Sequence, residues 1–248
     1  CSVQGGIQGA FGVRRILAQV IFGEPENDFR VISSDIGGSF GMKSNFYPET
    51  VLVAWSSKLL RRPVRWISDR SEAFISDCHG RDNISDVELA LDKEGNILAL
   101  RVENIANLGA YPSTIPAGPA TIHLPGMIGL YKTPTAHVTV RGVYTNTNPI
   151  AAYRGAGRPE ASFVIERIID IAADRLDMDK ADLRRRNMIP ADAIPYQTPL
   201  FFNYDSGDFI GNFDDLLRAA NYADFEQRRI AAAARGKLRG LGLSATIE

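Results

Sequence analysis

"FRVISSDIGGSFGMKSNFYPETVLVAWSSKLL", residues 29–60, passes from a β-rich run through a glycine-floored loop into an amphipathic segment. "FRVISSD" is short and rich in strand formers. "YPETVLVAWSSKLL" carries Pro48 near a helix start and an apolar face through Val51, Trp55 and Leu59, which predicts a helix. Strand, loop, helix is therefore the expected order. The loop between them, "SSDIGGSFGMKSN" (33–45), sets Gly37, Gly38 and Gly41 around a bare Phe40, and that pattern asks what the loop holds.

Moving outward, "QGAFGVRRILAQVIFG" (8–23) has one apolar face and ends at Gly23 before Pro25, so it predicts a helix with a stop. "NISDVELALDKEGNILALRVENIANLGAY" (83–111) alternates Val87, Leu89 and Leu91 on one side of a "DKEGN" turn and resumes with Ile97, Ala99 and Arg101, a hairpin with long arms. "AHVTVRGVYTNTN" (136–148) is a further alternating strand that delivers the chain into "PIAAYRGAGRPE", a second glycine-rich loop. Pro159 then opens a helix striped by Ile165, Ile168, Ile169, Ala172 and Leu176. Asp179 with Asp182 reads as a capping pair for "DLRRRNMI", ended by Pro190. "IPYQTPLFFNYDSGDF" (194–209) reads as loop, and "FDDLLRAANYADFEQRRIAAAARG" (213–236) as two short helices. The expected class is α+β, with mixed β-sheets and flanking helices, and no repeat or linker divides residues 1–248.

The 248 residues are 45% hydrophobic, enough for a substantial core. Lys and Arg number 28 against 29 Asp and Glu, so no global field recruits nucleic acid or an anionic membrane. Cys1 and Cys78 make no disulfide framework and no zinc spacing, which fits a reducing compartment and predicts a cytoplasmic protein. The longest apolar stretches are interrupted by charge and too short to span a bilayer. The first residue is not methionine and "GKLRGLGLSATIE" ends in a strand-like apolar run, so the chain reads as part of something longer.

The glycine loop has three readings from its residues alone. Gly37 to Ser44 match the phosphate-binding pattern GxxxxGK[ST] except that Met42 stands at the second glycine, and Ser44 to Pro48 delay the helix whose N-terminus would face a phosphate. A plain structural turn is the second. The third is a binding surface: Phe40 between Ser39 and Gly41 is presented outward as a flat apolar wall. The second loop has a similar design, with Arg154 before Gly155-Ala156-Gly157, where a guanidinium and exposed backbone could hold anionic or oxo-rich atoms. A surface arginine ahead of a helix is the plain alternative.

"CSVQGGIQ", "DIGGSFGMK" and "AAYRGAGRPEASFVIERIIDIAADRLDMDKADLRRRNMI" together resemble the molybdenum-binding large subunit of the xanthine dehydrogenase, aldehyde oxidase and aerobic carbon monoxide dehydrogenase family. The resemblance runs in order over nearly the whole chain. It implies the first molybdopterin-binding domain of a molybdenum hydroxylase, spanning 1–248, which acts on an aldehyde, azaheterocycle or similar small substrate with water as oxygen source. By match, Gln4 would hydrogen-bond an oxo ligand of molybdenum, Gly38, Phe40 and Gly41 would lie beside the metal and pterin, and Arg154 and Gly155 would approach the metal's ligands. Tyr153 and Ala156 would face substrate. The implied cofactor is molybdenum with molybdopterin cytosine dinucleotide. The implied partners are FAD-binding and 2Fe–2S subunits and the C-terminal remainder of the large subunit, with neither nucleic acid nor membrane.

Several positions depart from the family's branches. Purine oxidisers carry a glutamate after the lysine of the second motif, where this chain has Ser44, and a phenylalanine where it has Ala156; their substrate arginine falls in a segment matching "PATIHLPGM" (119–127), which has none. Copper-bridged carbon monoxide dehydrogenases carry a cysteine at the position of Gly155, so a soft Cu(I) ion loses its thiolate here. The family's catalytic base is a glutamate in a later glycine-rich motif; Glu248 does not match it, no catalytic residue is assigned, and this chain alone is expected to bind no cofactor. Two rivals remain, a P-loop-like nucleotide-binding domain and a non-catalytic subunit-assembly domain. Cys78 with His79, and His123 and His137 singly, read as structural, and "LRRR" (183–186) as a solvated helix face or subunit contact. Phe201 and Phe202 border either a substrate funnel, an interface or the core.

Overall fold

A computed structural model describes residues 1–113, 118–121 and 124–247. His123, Glu248 and part of "PATIHLPGM" lie outside the described residues. The described chain divides into two compact units: Cys1–Asn83, Ile105–Thr121 and Arg141–Gly157 form unit 1, and Ile84–Asn104, Ile122–Val140 and Arg158–Glu248 form unit 2.

Unit 1 opens with β1 (Ser2–Gln4), which pairs in parallel with β2 (Arg30–Ile32) so that Gln4 sits opposite Ile32. Between them runs α1 (Ala10–Arg15), which continues as a π-helical stretch Ile16–Phe22 and stops at Gly23 in the left-handed region. This matches the expected helix and stop. The loop of residues 33–45 follows β2, and α2 (Pro48–Leu60) starts with Pro48 at its first turn. α3 (Arg70–Ser76) is capped by Asp69, and α4 is the short turn Gly118–Thr121. The unit's core is small: Val3, Val13, Leu17, Ala18, Phe29 and Ala54, flanked by Val51 and Phe46. The apolar face expected on α2 is only partly the one buried, since Trp55 and Leu59 are 52% and 65% exposed while Ala54 is 4%. Ala54 packs in the cluster with Leu17, Ala18 and Phe29.

Unit 2 contains most of a three-stranded sheet in the order β3-β4-β5, with β3 Asn83–Leu91, β4 Ile97–Asn107 and β5 Thr135–Val143. The expected hairpin turn is present, with Asp92 accepting from Glu94 and Asn96 amides and Gly95 at positive φ. The side-chain alternation of β4 differs from expectation: after Ile97 it shifts by one residue, so Leu100, Val102 and Asn104 are buried and Arg101 is exposed beside Glu88. The shift keeps the Arg101 charge in water, where Glu88 pairs with it. α5 (Arg158–Leu176) buries Ile165, Ile169 and Ala172, and α6 (Lys180–Asn187) begins under Asp179, which accepts from the Ala181 and Asp182 amides. Asn187 joins α6 to the hairpin by accepting from Ile97 N–H and donating to the Gly95 carbonyl.

The tract 194–209, expected as loop, holds a small antiparallel hairpin, β6 (Tyr196–Gln197) with β7 (Asn203–Tyr204). Two-residue strands leave too little periodicity to be legible. α7 (Phe209–Ala219) and α8 (Phe225–Ala233) are the two expected helices. The apolar run at residues 237–247 is not a strand; Leu243 and Ala245 pack on the unit's core as irregular chain. That core is continuous from Ile97 and Leu100 through Ile128, Tyr131, Ile165 and Ile169 to Leu183, Phe213 and Leu217. The fold is thus α+β with small mixed sheets and flanking helices.

The "LRRR" run is not all solvent-facing. Arg184 is fully buried in unit 2, where its Nε donates to Glu166 at 2.8 Å and its Nη2 pairs with Asp170 at 2.9 Å. Tyr131 completes the cluster by donating to Glu166 at 2.6 Å. Burial and the adjacent Glu166 carboxylate push the Tyr131 hydroxyl far above its ordinary range. Burial is the largest influence on Arg184 and opposes its charge, but Glu166, Tyr131 and Asp170 together outweigh it and hold the guanidinium above its ordinary range. Arg185 remains at the surface with Asp182 and Asp214.

Candidate functional site

The three quoted motifs meet in unit 1 through backbone geometry. Gly5 N–H donates to the Ile32 carbonyl, Ile7 and Ser33 exchange hydrogen bonds, and Gln8 N–H donates to the Lys43 carbonyl at 3.0 Å. The first motif therefore lines the glycine loop along its length. The Gln8 side chain goes further, its Oε1 accepting from Gly41 N–H at 3.0 Å.

Gly41 is where the second and third motifs touch. A Cβ there would stand 2.7 Å from the Ala152 carbonyl oxygen, and its φ of 89° is in the region that glycine favours, so no other residue brings the two loops together in this way. Arg154 N–H donates to the Phe40 carbonyl at 2.8 Å, one residue away. Phe40 itself is left-handed at φ 53° and half exposed, with its ring lying over Gly38 and beneath the Arg154 guanidinium, 5.7 Å from the ring centroid. Held backbone with a phenylalanine in the left-handed region is strained and persists because neighbours over-determine it.

Each residue expected at the site lies in unit 1. Phe40, Gly41 and Arg154 are brought together as described, and Gly38 underlies the Phe40 ring. Gly155 and Ala156 follow Arg154 with φ of 95° and 46°, and Tyr153 is exposed beside them. Gln4 is exposed at the end of β1, before the segment that reaches the loops.

Two residues of the site, Gln8 and Arg81, were not singled out by the sequence, and Lys43 was read only as the lysine of a phosphate cradle. Gln8 stood in the same motif as Gln4, and only the path of the chain distinguishes them. Lys43 turns back onto its own loop, donating to the Ile36 and Gly38 carbonyls at 2.6 and 2.8 Å. A P-loop lysine reaches instead for phosphate; with the following α-helix starting only at Pro48, the phosphate-cradle reading is disfavoured. Arg81 stacks on Tyr153 and donates to the carbonyls of Tyr153 and Arg154. Its signal was a charged residue after Gly80, overlooked beside the more conspicuous Cys78 and His79.

Cys78 and His79 fill structural roles. The His79 ring lies within hydrogen-bond range of Phe74 and Asn148, and burial pushes the Cys78 thiol up, away from thiolate reactivity. Among the described residues no group of His, Cys, Asp and Glu is arranged to hold a metal ion, and no helix is long and apolar enough to cross a membrane. In unit 2, Phe202 lines a cavity of about 400 Å³ with Ile165 and Tyr204, while Phe201 is 80% exposed.

With this geometry in place, residues 1–188 match the family model of the molybdopterin cofactor-binding domain. The carbon monoxide dehydrogenase large chain of Hydrogenophaga pseudoflava is 39% identical over 241 residues, covering 93% of this chain and 30% of that protein. The 6-hydroxypseudooxynicotine dehydrogenase complex subunit gamma of Paenarthrobacter nicotinovorans is 35% identical, covering 95% of this chain and 30% of that protein. The crystal structure of quinoline 2-oxidoreductase from Pseudomonas putida 86 superposes with a TM-score of 0.90 at 32% identity, over 95% of this chain and 30% of that one. The chain thus spans about 30% of the length of the relatives it matches. By its matched residues and its fold, the chain belongs to the molybdopterin cofactor-binding domain family of molybdenum hydroxylases.

Proposed function

We propose that this chain forms one wall of the molybdopterin site of a molybdenum hydroxylase that oxidises an aldehyde, azaheterocycle or similar small substrate with water as oxygen source. The observation that carries this reading is the convergence of Gln8, Phe40–Gly41 and Arg154 within hydrogen-bond distance on loops with little side-chain bulk. The donor set fits the group: amides from Gln4 and Gln8, a guanidinium from Arg154, a flat Phe40 ring seated over Gly38, and a Gly155 without a Cβ suit a planar, polar, anionic pterin. When bound, the cofactor supplies the two-electron redox chemistry and the activation of water.

The chain's own residues bind and orient. Arg154 would neutralise negative charge on the cofactor, Phe40 would exclude water from one face, and a glutamine amide would donate a hydrogen bond to it. Gln4 and Gln8 both carry that amide, and Gln8 is the one tied to Gly41. Tyr153 and Ala156 border the substrate, where a small side chain in place of a stacking ring disfavours purines. Gly155 supplies no thiolate, so copper is not required.

In a protein of the relatives' length, the remaining cofactor contacts and the base that deprotonates water come from residues outside this chain. The group would be the cytosine dinucleotide form, its electrons would pass to iron–sulfur and FAD subunits, and the assembly would be cytoplasmic. The test is to purify the full-length protein, measure molybdenum and pterin content, and assay aldehyde and azaheterocycle oxidation with an artificial acceptor before and after Cu(I) chelation. Stoichiometric molybdenum and chelator-insensitive turnover are expected; a full-length protein without pterin sinks the reading. The 248 residues alone are expected to retain no pterin, because one wall leaves most of its polar surface in water.

A further inference from the structure

The third motif rests on a short segment, residues 77–81, that belongs to none of the motifs. His79 N–H donates to the Pro149 carbonyl at 2.9 Å and its carbonyl accepts from Ala151 N–H at 2.8 Å, so the two stretches run side by side. Gly80 approaches Tyr153 so closely that a Cβ on it would stand 2.7 Å from Tyr153 Cβ. This approach brings Arg81, left-handed at φ 35°, under the loop. Its guanidinium lies 5.4 Å from the centroid of the Tyr153 ring. Through Nη2 it donates to the Tyr153 carbonyl at 3.4 Å and, in a shorter bond, to the Arg154 carbonyl.

We propose that Arg81 is a positioning residue for the molybdopterin site: it clamps the Arg154–Gly155 peptide and the Tyr153 ring in a single orientation. The proposal rests on the function proposed above. Arg154 is held at both ends of its backbone, its N–H on the Phe40 carbonyl and its carbonyl on Arg81. A trans peptide points its carbonyl and the next N–H in opposite directions, so a grip on the Arg154 carbonyl turns the Gly155 N–H away from Arg81. Residues 155–157 then run through three successive positive φ angles of 95°, 46° and 103°. The middle one is an alanine, for which that region is unfavourable; its N–H closes the turn on the Tyr153 carbonyl at 2.9 Å, and Arg81 adds a restraint from outside the loop. The planar fork of an arginine serves two neighbouring carbonyls while stacking on a ring; a lysine ammonium is a single point charge and cannot do all three.

The test uses the full-length protein with Arg81→Ala and Arg81→Lys. Amide hydrogen exchange in the peptide covering 149–158 is the primary reading, with pterin content, thermal midpoint and turnover per bound molybdenum alongside. In Arg81→Ala that peptide is expected to exchange about tenfold faster, as for one lost hydrogen bond to a charged donor, while exchange in residues 1–32 is unchanged. Turnover per molybdenum is expected to fall about tenfold in parallel, and Arg81→Lys to recover only part of either loss. Unchanged exchange at 149–158, exchange raised equally throughout unit 1, or full recovery by lysine overturns the proposal. Wild-type protein lacking pterin overturns the functional reading instead, whereas pterin-loaded wild type with an unaffected Arg81→Ala removes Arg81 alone.

Discussion

Unit 2 is built around one continuous apolar core with a charged cluster sealed inside it, whereas unit 1 has a small cluster of six buried apolar residues among those described and a site made of exposed loops. The difference teaches where specificity of shape comes from. In unit 2 side chains interlock: α5 and α6 are joined by Arg184 to Glu166 and Asp170, and by Asn187 to the hairpin. In unit 1 the loops are placed by backbone contacts, Gly41 against Ala152 and Arg154 N–H on the Phe40 carbonyl, and by side chains that grip backbone, with Gln8 accepting from Gly41 N–H and Arg81 donating to the Arg154 carbonyl. Packing tolerates little change in volume. Backbone placement leaves side chains such as Arg154 and Phe40 uncommitted to the core and able to meet a ligand.

The sharpest way to break this contrast is Arg184→Ala. It leaves Glu166 without its cation, and Asp170 with only Lys180 at 3.6 Å, in a site where Arg184 has no solvent exposure, and removing one partner of a buried pair costs about 3–5 kcal/mol. Urea unfolding of the chain measures it; a loss below about 1 kcal/mol, the range of surface pairs, would place the cluster in solvent.

Gly41→Ala comes next. Its Cβ would meet the Ala152 carbonyl at 2.7 Å, a backbone atom that cannot swing aside, and φ is already unfavourable for alanine. Strain of this kind costs about 1–3 kcal/mol. The expected outcome in the full-length protein is lost pterin with near-normal secondary structure by circular dichroism. Retained pterin would show that the loops need not touch. Arg154→Ala, which removes a charge-assisted contact worth about 1–3 kcal/mol, is expected to lower molybdenum occupancy or turnover; unchanged values in both remove Arg154 from the site.

Much of this was legible in the sequence, for physical reasons that also explain the failures. The strand, loop and helix of residues 29–60, the Gly23 stop and the Asp179 cap are local, set by neighbours within a few residues. Phe40 and Arg154 were legible because glycines around a bare aromatic or a cation leave it little to do but face outward. Arg184 was not, because a basic run looks the same whether or not one member meets carboxylates on another helix, 14 and 18 positions back at Asp170 and Glu166. Arg81 and Gln8 act on loops more than 30 residues away, a relation that no spacing encodes. The β4 alternation failed for a similar reason: both Ala99 and Leu100 suit a core, and the packing partners decide between them.

The smallest predicted effect tests the helix face on which sequence and structure disagree. The sequence offers Val51, Trp55 and Leu59 as one apolar stripe of α2, but Leu59 is 65% exposed and Val51 packs against the buried cluster with Ala54. A leucine already in water gains little from its methyl groups, so Leu59→Gln is expected to change the unfolding free energy of the chain by less than about 0.5 kcal/mol. Val51→Ala, which empties part of a packed contact, is expected to cost about 1 kcal/mol or more. Equal losses in the two variants, read from urea midpoints at a constant slope, would mean that the stripe is buried as a whole in solution. Unit 1 would then hold a larger core than its six-residue cluster, and the contrast with unit 2 would narrow from a difference in kind to one in size.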